Sequence, residues 1–168
     1  MRVGLIADTH IPESFKELPP QVAQALKGVD LILHAGDIYI SSALDWLEAI
    51  APVMAARGNG DAQVRDDPRV QDSLVLDLDG LRVGVTHAVI YPETTWGTLE
   101  QTMERKFRGP VDVIVFGDTH TVLVERYKGV LLVNPGSPTY PKNFLELGTV
   151  GILEIKGGQA QASILSLK

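Results

Sequence analysis

The sequence predicts an α/β fold in which two β-sheets pack together and helices flank them. In the first half, short runs rich in Val, Ile and Leu alternate with helical patterns, which is typical of parallel strand, helix, strand units. The second half is mostly β, because alternating residues and Gly-containing turns replace the helical patterns. Helices together with this many strands in 168 residues fit two packed sheets better than one open sheet.

Five apolar runs are predicted to form buried strands, because they lack the polar alternation of half-exposed strands. These runs cover residues 3–7, 31–33, 53–56, 81–85 and 111–116.

Three helical patterns lie between the strands. A weak one covers residues 20–27 and stops at Gly28. Ser42 and Asp45 have the spacing of a capping box, ahead of an apolar face that includes Trp46. The third pattern is an apolar stripe of Trp96, Leu99 and Met103. We expect Trp46, Trp96 and Met103 to lie in the core.

The β-rich part of the chain begins near residue 72. Leu74, Leu76 and Leu78 alternate with other residues, and Asp79-Gly80 is a hairpin signal. Further strands are predicted over residues 121–127, 130–133, 150–155 and 162–167.

Composition narrows the kind of protein. With 45% hydrophobic residues the chain can form one full core, so we predict a single domain over residues 1–168. The net charge of −6 argues against nucleic acid as a partner, since a phosphate-backbone binder needs a basic face. The chain has no Cys, so any metal must be held by His, carboxylate or amide ligands.

The first ten residues, MRVGLIADTH, help to predict where in the cell the protein is found. Their apolar run is too short for a membrane span and lacks the cleavage site of a signal peptide. The lack of Cys agrees with a reducing compartment. We therefore expect a cytoplasmic protein with no membrane partner.

Polar residues follow each of the five buried runs. They are Asp8-Thr9-His10, His34-Ala35-Gly36-Asp37, Arg57-Gly58-Asn59-Gly60-Asp61, Thr86-His87 and Asp118-Thr119-His120. In an extended segment residues two apart face the same side, so Asp8 and His10 would present a carboxylate and an imidazole together. Because ligands bind outside the carboxyl ends of strands in α/β sheets, we expect all five groups to gather at one edge.

Taken singly, these residues have simpler explanations. Asp37 suits a helix N-cap or a turn, Asn59 suits a turn, and His87 suits a partly buried histidine. Together they would destabilise the fold, since two like charges 4 Å apart cost about 4 kcal/mol at an effective dielectric of 20. Two dications would carry +4 against −3 from Asp8, Asp37 and Asp118. The charges therefore favour a dinuclear centre that attracts an anionic phosphate.

The same residues stand in ordered motifs: Asp8-x-His10, Gly36-Asp37, Gly58-Asn59-x-Asp61, Thr86-His87 and Gly117-x-Thr119-His120. In order and spacing these motifs resemble those of the calcineurin-like metallophosphoesterases. With the segment VNPGSP at residues 133–138, the chain looks most like the small single-domain prokaryotic phosphodiesterases, relatives of the retromer subunit with this fold. The resemblance covers essentially the whole chain and implies a four-layer αββα sandwich of two mixed β-sheets flanked by helices.

The resemblance also implies a metal-dependent phosphoesterase, in first place a phosphodiesterase. One metal would be held by Asp8, His10, Asp37 and His120. The other would be held by Asp37, Asn59, His87 and Asp118, with Asp37 shared. A metal-bridging hydroxide would be the nucleophile, which makes Asp37, Asn59 and His87 the expected catalytic residues. Mn²⁺ is the expected ion, with Ni²⁺, Mg²⁺, Fe²⁺ and Zn²⁺ as alternatives.

Three positions depart from the family pattern. Asp118 stands where the family has His, which adds charge, favours Mn²⁺ or Mg²⁺ over Zn²⁺ and could weaken the second site. Gly60 stands where many relatives carry a His that protonates the leaving oxygen. Such an acid contributes about 10²- to 10⁴-fold, so we expect slow turnover of unactivated esters. Ala88 and Val89 replace a Gly and a polar residue, with an effect left open.

Three further residues are candidates for substrate binding. Arg57 could hold a phosphate oxygen, although an Arg at a strand end is as often a solvated surface charge. Ser137 and Lys142 lie in a loop that borders the metals in relatives, with an ordinary Pro/Gly turn as the alternative. His34 is expected behind the ligands or merely packed in the core.

The favoured function is hydrolysis of a small phosphodiester or phosphomonoester. The alternative is a non-catalytic scaffold or protein-interaction subunit with the same fold, which the changes at Asp118 and Gly60 favour and the six retained ligand-type residues oppose. A nuclease is the weakest candidate, given the net charge and 6% aromatic residues. The physiological substrate, the native metal and the oligomeric state stay open, although edge strands could pair two copies.

Overall fold

The computed structural model describes residues 1–168 as eleven strands, three α-helices and one 3₁₀ turn. The strands are β1 (Arg2–Ile6), β2 (Leu31–His34), β3 (Val53–Ala56), β4 (Val70–Gln71), β5 (Leu74–Leu78), β6 (Leu81–Val85), β7 (Val113–Val115), β8 (Leu123–Tyr127), β9 (Val130–Asn134), β10 (Thr149–Lys156) and β11 (Gln159–Ser166). The helices are α1 (Pro20–Ala25), α2 (Ser41–Glu48) and α3 (Leu99–Phe107), and the 3₁₀ turn is Pro141–Asn143. No helix is long and apolar enough to span a membrane.

The strands form two mixed sheets. One has the order β11-β10-β1-β2-β3-β4, and the other has the order β5-β6-β7-β9-β8. Strands β1 to β4 run parallel in the first sheet, as do β6, β7 and β9 in the second. In the first sheet β10 pairs antiparallel with β1 and with the edge strand β11, and in the second sheet both edge strands, β5 and β8, pair antiparallel with their neighbours. The prediction of two packed sheets is therefore confirmed.

The core has three parts that define four layers. Side chains such as Leu5 and Val115 fill the space between the sheets. Helices α1 and α2 pack on the outer face of the first sheet through residues that include Val22 and Leu44. Helix α3 covers the outer face of the second sheet with Phe107. The layers therefore follow the order helix, sheet, sheet, helix.

Two details of the helices differ from the predictions. Trp96 is 89% exposed and lies outside α3, because Thr98 caps that helix by accepting the N–H of Gln101. The capping box predicted at Ser42 does not form, since α2 already begins at Ser41 and no side chain caps it. Trp46 and Met103 were expected in the core. Both pack against it, but they are only partly buried.

The parallel strands position the site. β1, β2 and β3 belong to one sheet and β6 and β7 to the other, and the loops that follow them meet at one end of the sandwich. The N–H of Asp8 donates to the carbonyl of Gly36, and the N–H of Gly117 donates to the carbonyl of His87. The N–H of Asp118 donates across the sheets to the Asp8 carboxylate. The predicted convergence at one sheet edge is thus a convergence across two sheets.

Candidate metal centre

The loops after the strands turn sharply. Six polar residues in them have left-handed backbone with φ between 48° and 78°: Asp8, His10, Asp37, Tyr39, Asp118 and His120. Residues other than Gly rarely adopt this conformation, which costs about 1–3 kcal/mol and is concentrated at functional sites. Asp8 and His10 are therefore brought together by a turn and not by the alternation of an extended strand.

The first group of candidate ligands surrounds the buried carboxylate of Asp8. Its Oδ1 lies 3.9 Å from Nε2 of His10 and 3.7 Å from Nε2 of His120. The two Nε2 atoms lie 3.1 Å apart, and Nε2 of His10 is 3.4 Å from Oδ2 of Asp37. Nε2 of His10 thus lies within 4.0 Å of a nitrogen or oxygen atom of each of the other three residues predicted for this metal.

The second group shares Asp37 with the first. Nε2 of His87 lies 3.6 Å from Oδ1 of Asp37 and 3.5 Å from Oδ1 of Asp118. Nδ1 of His87 lies 2.8 Å from the carbonyl oxygen of Ala35, to which it can only donate. The lone pair of His87 is therefore on Nε2, the atom that faces the carboxylates.

The donor set fits a divalent cation. The ligand atoms of Asp8, His10 and His120 lie within 4.8 Å of one another, as do those of Asp8, Asp37 and His87. Asp8 Oδ2 and His87 Nε2 are buried and have no hydrogen-bond partner. An unsatisfied buried polar atom costs about 1–3 kcal/mol, which a coordinated cation would relieve. Imidazole and carboxylate ligands suit Mn²⁺, Ni²⁺ and Zn²⁺.

The pKa values of the candidate ligands reflect burial. Desolvation and the neighbouring Asp37 carboxylate raise the pKa of Asp8 from 3.8 to about 8. Desolvation lowers the pKa values of His10 and His120 below 6.5, against the opposing effect of Asp37. A cation would therefore displace a proton from Asp8 at neutral pH and would meet neutral imidazoles.

Asp61, which was not among the predicted ligands, holds the loop that carries Asp37. Its fully buried carboxylate accepts the backbone N–H groups of Asp37, Ile38, Tyr39 and Gly58 at 2.9, 2.6, 2.8 and 2.7 Å. Four donors on one carboxylate fix the backbone of the residue shared by both groups. The signal in the sequence was the place of Asp61 in the Gly58-Asn59-x-Asp61 motif.

Two glycines allow the loops to approach so closely. A Cβ on Gly58 would overlap the backbone nitrogen and Oδ1 of Asp37. A Cβ on Gly117 would lie 2.7 Å from Oδ2 of Asp8. A side chain at either position would displace one of the two central carboxylates.

Asn59 is exposed in the turn between Gly58 and Gly60. The N–H of Gly60 donates to Oδ1 of Asp37 at 2.9 Å, so this turn lies against the second group. The amide of Asn59 makes no hydrogen bond within the chain, and its place as a ligand stays a prediction.

The three candidate substrate residues are placed differently from one another. The Arg57 guanidinium pairs with Asp72 at 2.6 Å on the surface. Ser137 is fully buried, and its hydroxyl donates to the carbonyl of Asp8 at 2.7 Å. Lys142 is exposed beside the cluster, and its backbone N–H donates to the carbonyl of His120. Arg57 and Ser137 are therefore occupied by other partners, and only the side chain of Lys142 is free beside the site.

His34 is fully buried behind the cluster. Its Nδ1 accepts the N–H of Gly36, and its Nε2 lies 3.2 Å from the hydroxyl of Thr9. Desolvation lowers the pKa of His34 to about 4, which keeps the ring neutral. His34 thus supports the two loops that carry the ligands.

Two hollows on the surface differ in their distance from the cluster of candidate ligands. One of about 190 Å³ opens beside His10 and is lined by Glu13, Ser14, Tyr140 and Leu145. A larger one of about 1220 Å³ is lined by residues that include Arg2 and Val113, at the N-terminal ends of parallel strands, and by none of the candidate ligands. Of these two hollows, only the smaller one borders a candidate ligand.

Several known proteins resemble this chain in sequence or in fold. The family model for the calcineurin-like phosphoesterase superfamily domain matches residues 1–158. A protein of Methanothermobacter thermautotrophicus, named a probable metallophosphoesterase, is 36% identical over 98% of this chain and 92% of its own length. A phosphodiesterase of Methanocaldococcus jannaschii is 23% identical over 98% of this chain and 99% of its own. The crystal structure of Vps29 from Entamoeba histolytica complexed with Zn²⁺ has the same fold, with a TM-score of 0.72 at 21% identity over 100% of both chains.

Proposed function

Because the chain belongs to the calcineurin-like phosphoesterase superfamily, we propose that it hydrolyses phosphodiesters at a dinuclear metal centre. The observation that carries this proposal is the arrangement around Asp8. Nε2 of His10 and Nε2 of His120 lie 3.9 and 3.7 Å from its Oδ1, and the ligand atoms of Asp8, Asp37 and His87 lie within 4.8 Å of one another. Residues from four of the five motifs thus lie close to one another.

The ligands divide into two sets that share Asp37. Asp8, His10, Asp37 and His120 would hold one ion, and Asp37, Asn59, His87 and Asp118 would hold the other. Two divalent ions held there would lower the pKa of a shared water and neutralise the phosphoryl oxygens of the substrate. Mn²⁺ is the proposed ion, because the carboxylate oxygen of Asp118 is a harder ligand than the imidazole nitrogen that a His would supply to the second set.

Asp37 has the geometry of a shared ligand. Its Oδ2 faces His10 at 3.4 Å, and its Oδ1 faces His87 at 3.6 Å. The two oxygens of one carboxylate are thus directed to the two sets, while Asp61 holds the backbone behind them. Asp118 is 45% exposed, which leaves the second set open to a substrate.

The leaving group limits the substrate. Gly60 has no side chain that could protonate the leaving oxygen. Esters with good leaving groups, such as aryl phosphodiesters, should therefore react faster than alkyl esters. Charge agrees with a small substrate, since the net charge of −6 disfavours a nucleic acid polymer.

The test is hydrolysis of bis(p-nitrophenyl) phosphate by chelator-treated protein, with and without added Mn²⁺. We expect turnover that requires Mn²⁺ and that disappears in Asp37→Ala, prepared in the same way. p-Nitrophenyl phosphate, a monoester with the same leaving group, tests the preference for diesters. A higher rate with the monoester would show that the activity is that of a phosphomonoesterase and not that of a phosphodiesterase.

The second candidate function is that of a non-catalytic scaffold. The Asp at position 118 and the Gly at position 60 favour it, because both change positions that serve catalysis in the family pattern. No turnover with Mn²⁺, Ni²⁺, Co²⁺ or Zn²⁺, in a protein that binds those ions, would support the scaffold and contradict the enzyme.

A further inference from the structure

The ring of Tyr39 lies where a side chain at position 60 would be. A Cβ built on Gly60 would overlap Cε1 of Tyr39 and would lie 2.8 Å from its Cδ1 and Cζ. Positions 39 and 60 therefore share one space beside the cluster, and only one of them can carry a large side chain. In this chain the large side chain is the phenol of Tyr39. Position 60, where many relatives carry a histidine, is Gly.

Tyr39 is held firmly in this place. Its φ is 78°, in the left-handed region, and its N–H donates to Oδ1 of Asp61 at 2.8 Å. Its hydroxyl lies 2.8 Å from Nδ1 of His10, and the two ring centroids are 4.8 Å apart. A phenol hydroxyl can both accept and donate a hydrogen bond. The phenol is thus the direct partner of the His10 nitrogen that faces away from the cluster.

The hydrogen bond bears on which nitrogen of His10 carries the proton. Nε2 of His10 faces Asp37 at 3.4 Å and Nε2 of His120 at 3.1 Å. A neutral imidazole has one N–H, and a metal ligand needs the other nitrogen unprotonated. A proton on Nδ1, donated to the phenol oxygen, leaves the Nε2 lone pair directed into the cluster. His87 has the same arrangement, with the carbonyl of Ala35 in place of the phenol.

We propose that Tyr39 is a positioning residue that accepts the Nδ1–H of His10, so that Nε2 faces Asp8 and Asp37, and that its ring replaces the side chain relatives carry at position 60. The metal-binding part of this inference rests on the proposed function, since it takes His10 as a ligand. The shared space of positions 39 and 60 is independent of any activity.

The first test is Tyr39→Phe, which keeps the ring and removes the hydroxyl. We expect the affinity for Mn²⁺ to fall about 10- to 100-fold, the usual effect of losing the partner of a ligating histidine. Tyr140→Phe is the matched control, because the Tyr140 ring also packs on His10, at 5.6 Å, but its hydroxyl makes no hydrogen bond to that histidine. Equal Mn²⁺ affinities in wild type, Tyr39→Phe and Tyr140→Phe would overturn the positioning role.

A nuclear magnetic resonance measurement separates this role from general structural support. In ¹⁵N-labelled, metal-free protein at pH 8, the ring nitrogens of His10 should show a protonated Nδ1 and an unprotonated Nε2. Tyr39→Phe should reduce the share of this tautomer while the unfolding midpoint stays unchanged. A wild-type ring protonated on Nε2 would overturn the proposal, whether or not the protein hydrolyses phosphodiesters.

The second test exchanges the two positions. Gly60→His alone should lower the unfolding midpoint, because its side chain overlaps the Tyr39 ring. Tyr39→Ala combined with Gly60→His should recover much of that loss, as expected for residues in contact. If the effects of the two substitutions simply add, the two side chains do not share one space. This result is read from unfolding alone, so it stands apart from any failure of the catalytic proposal.

Discussion

The carboxylate of Asp61 accepts the backbone N–H of Asp37 at 2.9 Å, which links a buried side chain outside the proposed ligand sets to the residue that both proposed sets share. The same carboxylate accepts three more N–H groups, so it replaces the hydrogen bonds that a regular element would give to this loop. The position of Asp37 therefore depends on a residue 24 positions further along the chain.

Asp61→Ala should destabilise the protein strongly. It leaves four backbone N–H groups without their charged acceptor, and breaking a buried charged network typically costs about 3–5 kcal/mol. The measurement is urea unfolding without metal. Asp66→Ala is the control, because the side chain of Asp66 is 91% exposed and its loss should change stability by less than about 0.5 kcal/mol. Equal effects of the two substitutions would contradict this role of Asp61.

The stability of the metal-free protein should fall as the pH rises from about 6.5 to 8. The pKa of Asp8 is raised to about 8, so in this range the folded state binds a proton that the unfolded state has lost. Unfolding is then favoured as the pH increases. The lowered pKa values of His10, His34 and His120 act with the opposite sign, but only below about 6.5.

Unfolding midpoints across this pH range check the prediction. Asp8→Asn, which cannot ionise, should lose the slope between pH 6.5 and 8. A wild-type midpoint that rises over the same range would show that Asp8 is ionised in the metal-free fold.

Mn²⁺ should stabilise the folded state. An ion that binds only the folded chain, at about 100 times its dissociation constant, adds about 2.7 kcal/mol for one site. Because the ion displaces the Asp8 proton, the affinity should increase with pH up to about 8. Thermal unfolding of chelator-treated protein with and without Mn²⁺ measures both effects. An unchanged midpoint would contradict a metal centre of any nuclearity.

Asp118→His should change the metal preference. Asp118 lies 3.5 Å from Nε2 of His87 and would contribute a hard oxygen ligand to the second set. An imidazole there would favour Zn²⁺ relative to Mn²⁺. Competition between the two ions, followed by the metal content of the recovered protein, gives the ratio of affinities. The same ratio in wild type and Asp118→His would mean that position 118 does not bind the ion.

The sequence predicted the strands and the polar ends well because both are local patterns. β3 and β6 have the predicted bounds, and His87, which follows β6, lies in the cluster. β4 escaped prediction because it has only two residues, Val70 and Gln71, and depends on pairing with β3.

Other features could not be predicted because they depend on contacts between distant residues. The Tyr39 hydroxyl meets His10 across 29 positions, and the Asp61 carboxylate meets Tyr39 across 22. Trp96 was misplaced for a different reason. Its spacing to Leu99 suits a helix, but the cap at Thr98 begins the helix after it.

The measurement that tests the central claim most directly is a titration of chelator-treated protein with Mn²⁺, in which bound ions per chain and turnover of bis(p-nitrophenyl) phosphate are followed together. Two bound ions per chain, with turnover that rises with the second, is the predicted result. Asp37→Ala should lose both. Turnover that is complete with one bound ion, or that persists in Asp37→Ala, would contradict a dinuclear centre shared through Asp37.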